Sequence, residues 1–358
     1  MPPPDLIDDA TAEILLRLLP DDPSSAPRSS ASRGAASSPA APSSAATASS
    51  TGRPPLLGFF RNRREADRCP EFVSTIGASP FCCTPEFDCE SWWTLDCRHG
   101  RVLFHTIDLD AVGFVVWDPV TDDKHYLPEP EYEFIHRGAA VFCAADGCNH
   151  LDCHGGPFHV VVVTPDQDRE EYATVASVYS SETRAWEEVS YLEIQCQVVG
   201  TPCLLAGDAL YFMATLGLGL FKYDLAKREL SVMNAPEDYH YELLGTIMTA
   251  DGGGLGLAGV DNFRLHLWSW QDDAKKWVHD RIIDLKSLLP VHALPSSPML
   301  IGFMEGSDTI FMNTYAGAFA IKVISGQVRK VGERGRYYSV LPYRSFYTPD
   351  LAGQLPPL

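Results

Sequence analysis

The side chains best suited to chemistry crowd into one stretch, CAADGCNHLDCHGG, which holds Cys143, Cys148, His150, Cys153 and His154. Thiolates and imidazoles are ligands that zinc prefers. The cysteines, however, run Cys-x4-Cys-x4-Cys, without the tight Cys-x2-Cys knuckle. The stretch therefore reads as a long inter-strand loop of small and polar residues, and no metal and no cofactor are expected. Cys82, Cys83, Cys89 and Cys97 lie around strand-like segments. Free cysteine is among the most buried residue types, so these read as core thiols, and a cysteine nucleophile would need a positioned histidine that nothing local supplies. The glycine run Asp251–Gly256 lacks the Gly-Lys-Ser/Thr end and the following helix of a phosphate loop, and reads as a turn. Glu129 with Glu131, and Asp272 with Asp273, fall in expected turns as solvated carboxylates. No Gly-x-Ser-x-Gly elbow is present. No catalytic residue is assigned, and the chain is expected to bind rather than to catalyse.

The elements that hold these residues are strands. One pattern recurs: an apolar strand, a polar turn with Asp or Ser, and a second strand. Its copies begin at Val115 (VVWDPVTDDKHYLP), Ser177 (SVYSSETRAWEEV), Phe221 (FKYDLAKRELSVM), Trp268 (WSWQDDAKKWVHD) and Ala320 (AIKVISGQVRKVG). The anchors Trp117, Tyr179, Tyr223, Trp270 and Lys322 stand 44 to 62 residues apart. Hairpin-like stretches precede the copies, with turn signals at Arg98-His99-Gly100, Gly207-Asp208 and Asp261-Asn262. Four strands per unit at this period is the pattern of β-propeller blades. The fold class expected is mainly β, a propeller of about six blades, with a β-sandwich as the alternative. Five blades are visible, and Phe72–Trp93 together with Tyr337–Phe346 are expected to make or close a sixth. Helical signal in this body is confined to Ile282–Leu289.

Ahead of the body, Asp5–Pro20 places Ile7, Ala10, Ile14, Leu15 and Leu18 at spacings of three and four, one face of a short helix. Asp5 and Asp8 suit its N-cap and Pro20 its stop. So short a helix is marginal alone and needs a partner surface. Ser24–Gly52 is dominated by Ser and Ala and has no Leu, Ile, Val, Met or aromatic residue. It cannot bury enough apolar area to offset its ordering entropy and is expected to be disordered. The organisation expected is thus 1–23 helix, 24–53 low-complexity segment, 54–349 propeller and 350–358 tail.

The net charge of −19, from 28 basic and 47 acidic residues, disfavours nucleic acid and anionic membranes as partners. No apolar run approaches about 18 residues, so no membrane span is expected. The acidic, Pro-rich Met1–Asp9 lacks the basic and apolar regions of a signal peptide. The 10 cysteines are then reduced thiols, and the expected location is the cytoplasm or nucleus.

Many segments, in order, resemble one family: plant F-box proteins with a C-terminal F-box-associated β-propeller. DLIDDATAEILLRLLPDDPS looks like the first F-box helix. PPLLGFFRN, LDCRHGRVL, VVWDPVT, DCHGGPF, VYSSETRAW, LAGDALYF, YDLAKRELSV, IDLKSLLP and YYSVLPYRSFYTP look like its propeller. The resemblance implies the substrate-recognition subunit of a Skp–cullin–F-box E3 ubiquitin ligase. The F-box docks the Skp-type adaptor through Leu6, Ile7, Ile14, Leu15, Leu18 and Pro20, and the propeller holds a target protein. The Ser/Ala segment departs from the family, which has two further helices there. Written in GC-rich codons and read two letters later, Ser24–Ser38 becomes Leu-Arg-Ala-Ser-Leu-Val-Cys-Lys-Pro-Trp-Arg-Arg-Leu-Leu, which resembles the second half of an F-box. A frame slip between about Asp22 and Arg53 is one explanation and genuine low-complexity sequence the other. Either way this chain carries only part of an adaptor surface, and weak or absent adaptor binding is expected. Two alternatives stand beside the ligase role. One is a stand-alone propeller interaction module. The other is a propeller enzyme or sugar-binding protein, which would need acidic, His or Arg side chains converging at one mouth of the central channel.

Overall fold

The computed structural model describes residue 54 and residues 56–63, 70–74, 92–106, 113–128, 138–150, 153–166, 173–194, 196–215, 219–239, 244–335 and 337–345. Two strands come first, β1 (Leu56–Arg63) and β2 (Glu71–Ser74). Four-stranded antiparallel sheets follow in chain order. The first is β3 (Trp92–Arg98), β4 (Arg101–Thr106), β5 (Phe114–Asp118) and β6 (Asp123–Leu127). The second is β7 (Gly138–Cys143), β8 (Phe158–Asp166), β9 (Ala173–Ser180) and β10 (Ala185–Leu192). The third is β11 (Leu204–Ala206), β12 (Ala209–Met213), β13 (Leu220–Asp224) and β14 (Glu229–Met233). The fourth is β15 (Leu244–Thr249), β16 (Leu255–Asp261), β17 (Arg264–Gln271) and β18 (Lys276–Asp284). The fifth is β19 (Met299–Phe303), β20 (Thr309–Thr314), β21 (Gly317–Lys322) and β22 (Val328–Gly332). The last strand, β23 (Tyr337–Arg344), pairs with β1, which pairs with β2, so a sixth sheet joins both ends of the ring.

This is a six-bladed propeller. All five recurring hairpins are the third and fourth strands of their blades. The sixth blade corrects the expectation in one respect. Its second strand is β1, and Trp92 and Trp93 belong to the first blade. Ile282–Leu289 also divides: Ile282–Asp284 finishes β18, and only Leu285–Leu288 forms a turn of helix, α1, capped by Asp284, which accepts the Lys286 N–H (3.0 Å).

Burial explains the composition of the strands. Middle strands are covered on both faces by neighbouring blades, so they read as continuous apolar runs rather than alternating ones. Val160–Val163 in β8 are four consecutive buried valines, and β9 and β12 are buried throughout. Fourth strands lie at the rim, and most residues of β6, β14 and β18 are exposed or half-buried. The core is a set of apolar clusters between blades. Leu103, Phe114, Val141 and Val160 join the first and second blades, and Phe60, Phe104, Trp117 and Tyr343 join the sixth and first. Edge-on ring pairs around Phe60 add to that last junction. The innermost strands pack side by side around the axis, β3 against β7 and β23, and β19 against β15 and β23. At Gly302 (φ +154°) a side chain would collide with the Val340 carbonyl, so β19 can approach β23 only with glycine there.

Polar bonds close the ring. Asn62 of β1 donates to the Thr94 carbonyl and to Ser339 Oγ (2.7 Å each) and accepts the Thr94 N–H (2.9 Å). Tyr343 donates to the Gly100 carbonyl (2.9 Å). The helix expected over Asp5–Pro20, the segment 24–53 and the tail 350–358 lie outside the described residues. Among the described residues no helix is long and apolar enough to cross a membrane.

Candidate functional site

In this topology the innermost strands all run the same way, so the segments that leave them collect at one mouth of the channel. Loops on a rigid scaffold are where propellers carry binding. Arg98–Gly100, Asn149, His150, Cys153, His154, Leu204–Gly207, Ala250–Gly253, Met304–Asp308 and Arg344 with Ser345 line a cavity of about 760 Å³ there. Every blade contributes. Of the turn expected at Asp251–Gly256, Asp251–Gly253 are part of this rim, while Leu255 and Gly256 begin β16.

Arg98 sits beneath the cavity and reaches across the axis. Its Nη1 donates to Asp96 Oδ2 (2.9 Å), its Nη2 to Glu305 Oε2 (2.9 Å) and to the Cys203 carbonyl (3.2 Å). One guanidinium from the first blade thus grips the third and the fifth. Asp96 adds the second blade by accepting the Val141 N–H (2.9 Å), and it also accepts the Cys97 N–H (2.9 Å). Burial lifts the Asp96 carboxyl to about 6, with Arg98 pulling the other way. Burial works against the Arg98 charge too, but Asp96 and Glu305 more than offset it and hold that charge firmly. Burial pushes the Cys203 thiol up to about 12, so it meets Arg98 as a neutral group.

A second network joins three blades. His154 Nδ1 is bonded to Asp118 Oδ2 and its Nε2 to Ser345 Oγ (2.9 Å). Asp118 ends β5, His154 lies between β7 and β8, and Ser345 follows β23. The order Asp–His–Ser is that of a nucleophile relay. Here, however, Ser345 is 3% exposed, and Asp118 Oδ1 is committed to the Val120 N–H (2.9 Å). Buried this way, the trio acts as a latch across the ring junction. Gly100 (φ +76°) belongs to it: a Cβ there would press on the His154 ring at 3.1 Å.

The remaining members of the Cys/His stretch gather beside the latch. Cys148 Sγ lies 3.6 Å from Cys153 Sγ, and Cys153 Sγ 3.8 Å from His150 Nδ1. With Cys143 Sγ, these four atoms all lie within 4.8 Å of one another. The Cys-x4-Cys spacing hid this, because positive φ at Gly147 and His150 turns the backbone round and brings Cys148 and Cys153 together. The His99 ring stacks on His150 at 4.2 Å, and His99 Nδ1 accepts the Cys143 N–H (3.0 Å). Burial, then Arg98, drives the His99 imidazole down to about 3, so it is the neutral acceptor this bond requires.

Of the other residues singled out from sequence, Asp272 and Asp273 are exposed in the β17–β18 turn. Leu6, Ile7, Ile14, Leu15, Leu18, Pro20, Cys82, Cys83, Cys89, Glu129 and Glu131 lie outside the described residues. Sequence reasoning missed Asp96, Arg98, Asp118, Glu305 and Ser345. The available signal was charge at the axial ends of innermost strands, as in Asp96-Cys97-Arg98.

A family model described as "F-box protein AT5G49610-like, beta-propeller" matches residues 93–350. No curated protein matches the chain. Among solved structures, the extracellular domain of the putative one component system BT4673 from B. thetaiotaomicron is 13% identical, with 78% of this chain and 30% of that one covered and a TM-score of 0.38. This chain thus spans under a third of that protein's length. The six-bladed fungal lectin from Aleuria aurantia is 9% identical, with 77% and 90% covered and a TM-score of 0.49. A chain of a nidogen/laminin complex is 10% identical, with 80% and 98% covered and a TM-score of 0.45.

Proposed function

Because this chain belongs to the family of F-box protein AT5G49610-like β-propellers, we propose that it is the substrate-recognition subunit of a Skp–cullin–F-box ubiquitin ligase, acting without catalysis of its own in the cytoplasm or nucleus. The family match over residues 93–350 is the observation that carries this reading. The channel mouth is the target-binding surface, because all six blades bring loops to it. Its outward carboxylate Asp251 (59% exposed) and the net charge of −19 favour a basic segment of the target.

Leu6, Ile7, Ile14, Leu15, Leu18 and Pro20 are what remains of the adaptor surface. With Ser/Ala sequence in place of two helices, adaptor affinity is weak. Co-expression with a Skp-type adaptor tests this, using the present chain beside one in which residues 24–53 are replaced by the shifted-frame sequence. Recovery of adaptor with the repaired chain only is the expected result. Recovery with neither favours the stand-alone interaction module, and sub-micromolar adaptor binding by the present chain overturns the impaired F-box.

One observation favours a second reading, a polar small-ligand or enzymatic site. Acidic, His and Arg side chains, Asp96, Arg98, His99, His154 and Glu305, do converge at one mouth. Their hydrogen bonds are largely spent on one another and on the ring, which speaks for scaffold. Saturable binding of a glycan by the unaltered chain on a glycan array would support the second reading.

A further inference from the structure

We propose that Cys143, Cys148, His150 and Cys153 bind a zinc ion, and that this ion ties the β7–β8 connection back to the end of β7. The site rests on geometry at several levels. A tetrahedral zinc with Zn–S near 2.3 Å sets its sulfur ligands about 3.8 Å apart and its sulfur and nitrogen ligands slightly closer. The Cys148–Cys153 separation of 3.6 Å and the Cys153–His150 separation of 3.8 Å match those edges, and the whole set lies within 4.8 Å. Three thiolates and one imidazole make a closed, structural donor set with no position left for water.

The surroundings suit thiolates. The N–H two residues ahead points at the sulfur in both cases where the chain turns: Ala145 N–H to Cys143 Sγ (3.5 Å) and His150 N–H to Cys148 Sγ (3.4 Å). Three thiolates around Zn²⁺ leave a net charge of about −1, and a cation stands by. The buried Arg101 donates through Nη2 to the Cys153 and Gly156 carbonyls (2.6 Å each), and its Nη1 is a buried donor without a hydrogen-bond partner among the described residues. His99 is the outer support: it holds the Cys143 backbone through Nδ1 and stacks on the His150 ring. Because His154 directly follows Cys153, an ion held here also seats the Asp118–His154–Ser345 latch.

The test uses the full chain, purified under reducing conditions and analysed for metal content. Zinc is then exchanged for cobalt(II), whose visible spectrum reports tetrahedral thiolate ligation. About one zinc per chain and a tetrahedral cobalt spectrum are expected. Cys148→Ser and His150→Ala alter side chains at the solvent edge of the cluster, and each should weaken zinc by more than the roughly 100-fold that supporting residues cost. His99→Asn keeps an acceptor and the left-handed turn while removing the stacked ring, and should weaken zinc about 10-fold. Cys196→Ala, at a buried thiol outside the cluster, should bind as the unaltered chain does. Should a variant fail to fold, the metal content and cobalt spectrum of the unaltered chain decide. Three results overturn the proposal: no uptake of micromolar zinc by the folded, reduced chain; unchanged uptake in Cys148→Ser; or a Cys148–Cys153 disulfide persisting under reducing conditions.

Discussion

Two polar regions share the channel mouth and are built on opposite terms. At Arg98 a buried guanidinium meets two carboxylates and a carbonyl from three blades, and Asp96 takes two backbone N–H groups besides. At the β7–β8 connection, Cys148 and His150 lie at the surface with soft ligand atoms turned towards one another. The first region has spent its hydrogen-bonding capacity on holding the ring. The second offers lone pairs to an outside partner. Proximity to a cavity therefore does not make a residue part of a binding site, and the number of bonds already made separates scaffold from ligand-ready groups.

Single substitutions separate the two regions. The largest effect is expected from Arg98→Met, which strands the buried Asp96: a loss of about 3–5 kcal/mol and a fall in melting temperature on the order of 10 °C. Adding Asp96→Asn should recover part of this, since the two side chains form one unit. A fall no larger than that of an ordinary surface substitution would remove Arg98 from the scaffold.

Asp96 gives a pH signature. Its carboxyl titrates at about 6 in the fold against 3.8 as an ordinary carboxyl, so the folded state holds this proton more tightly. Its contribution to stability is full below the ordinary value and is lost as pH rises through about 6, by roughly 2–3 kcal/mol. Denaturant titrations at both ends of that window should show the unaltered chain losing stability relative to Asp96→Asn as pH rises. Parallel curves would contradict the assignment.

Ser345→Ala removes one bond of the latch and should cost about 1–2 kcal/mol, read by urea titration. Ile324, exposed on the rim of the cavity, is the quiet end of the series: Ile324→Asp should change stability by no more than about 0.5 kcal/mol.

Much of the ring was legible in the sequence because each blade ends in a hairpin with a marked turn. VYSSETRAW and YDLAKREL fold locally, as adjacent strands with Asp, Ser or Arg at the bend. The closure was not legible. Leu56–Arg63 pairs with Tyr337–Arg344, some 280 residues on, and no local periodicity announces a partner so distant. The mouth failed to show for a related reason. Asp96 and Arg98 look like strand-end charges until Glu305, 207 residues away, is brought across the axis. Asp118, His154 and Ser345 are likewise united only by three blades. The Cys/His stretch was visible as composition, but spacing between cysteines was the wrong ruler, because backbone turned at Gly147 and His150 draws together residues that linear spacing keeps apart.

The channel mouth is proposed as the place where a target protein is held. Affinity capture with the full chain, beside the double variant Ile324→Asp/Asp251→Lys, tests it most directly. Both positions line the cavity rim, and the Asp251–Arg281 pair given up is a surface one (59% and 34% exposed) that contributes little to stability. A set of proteins enriched by the unaltered chain should disappear from the variant while its melting temperature stays the same. The same proteins captured equally by both chains would contradict it.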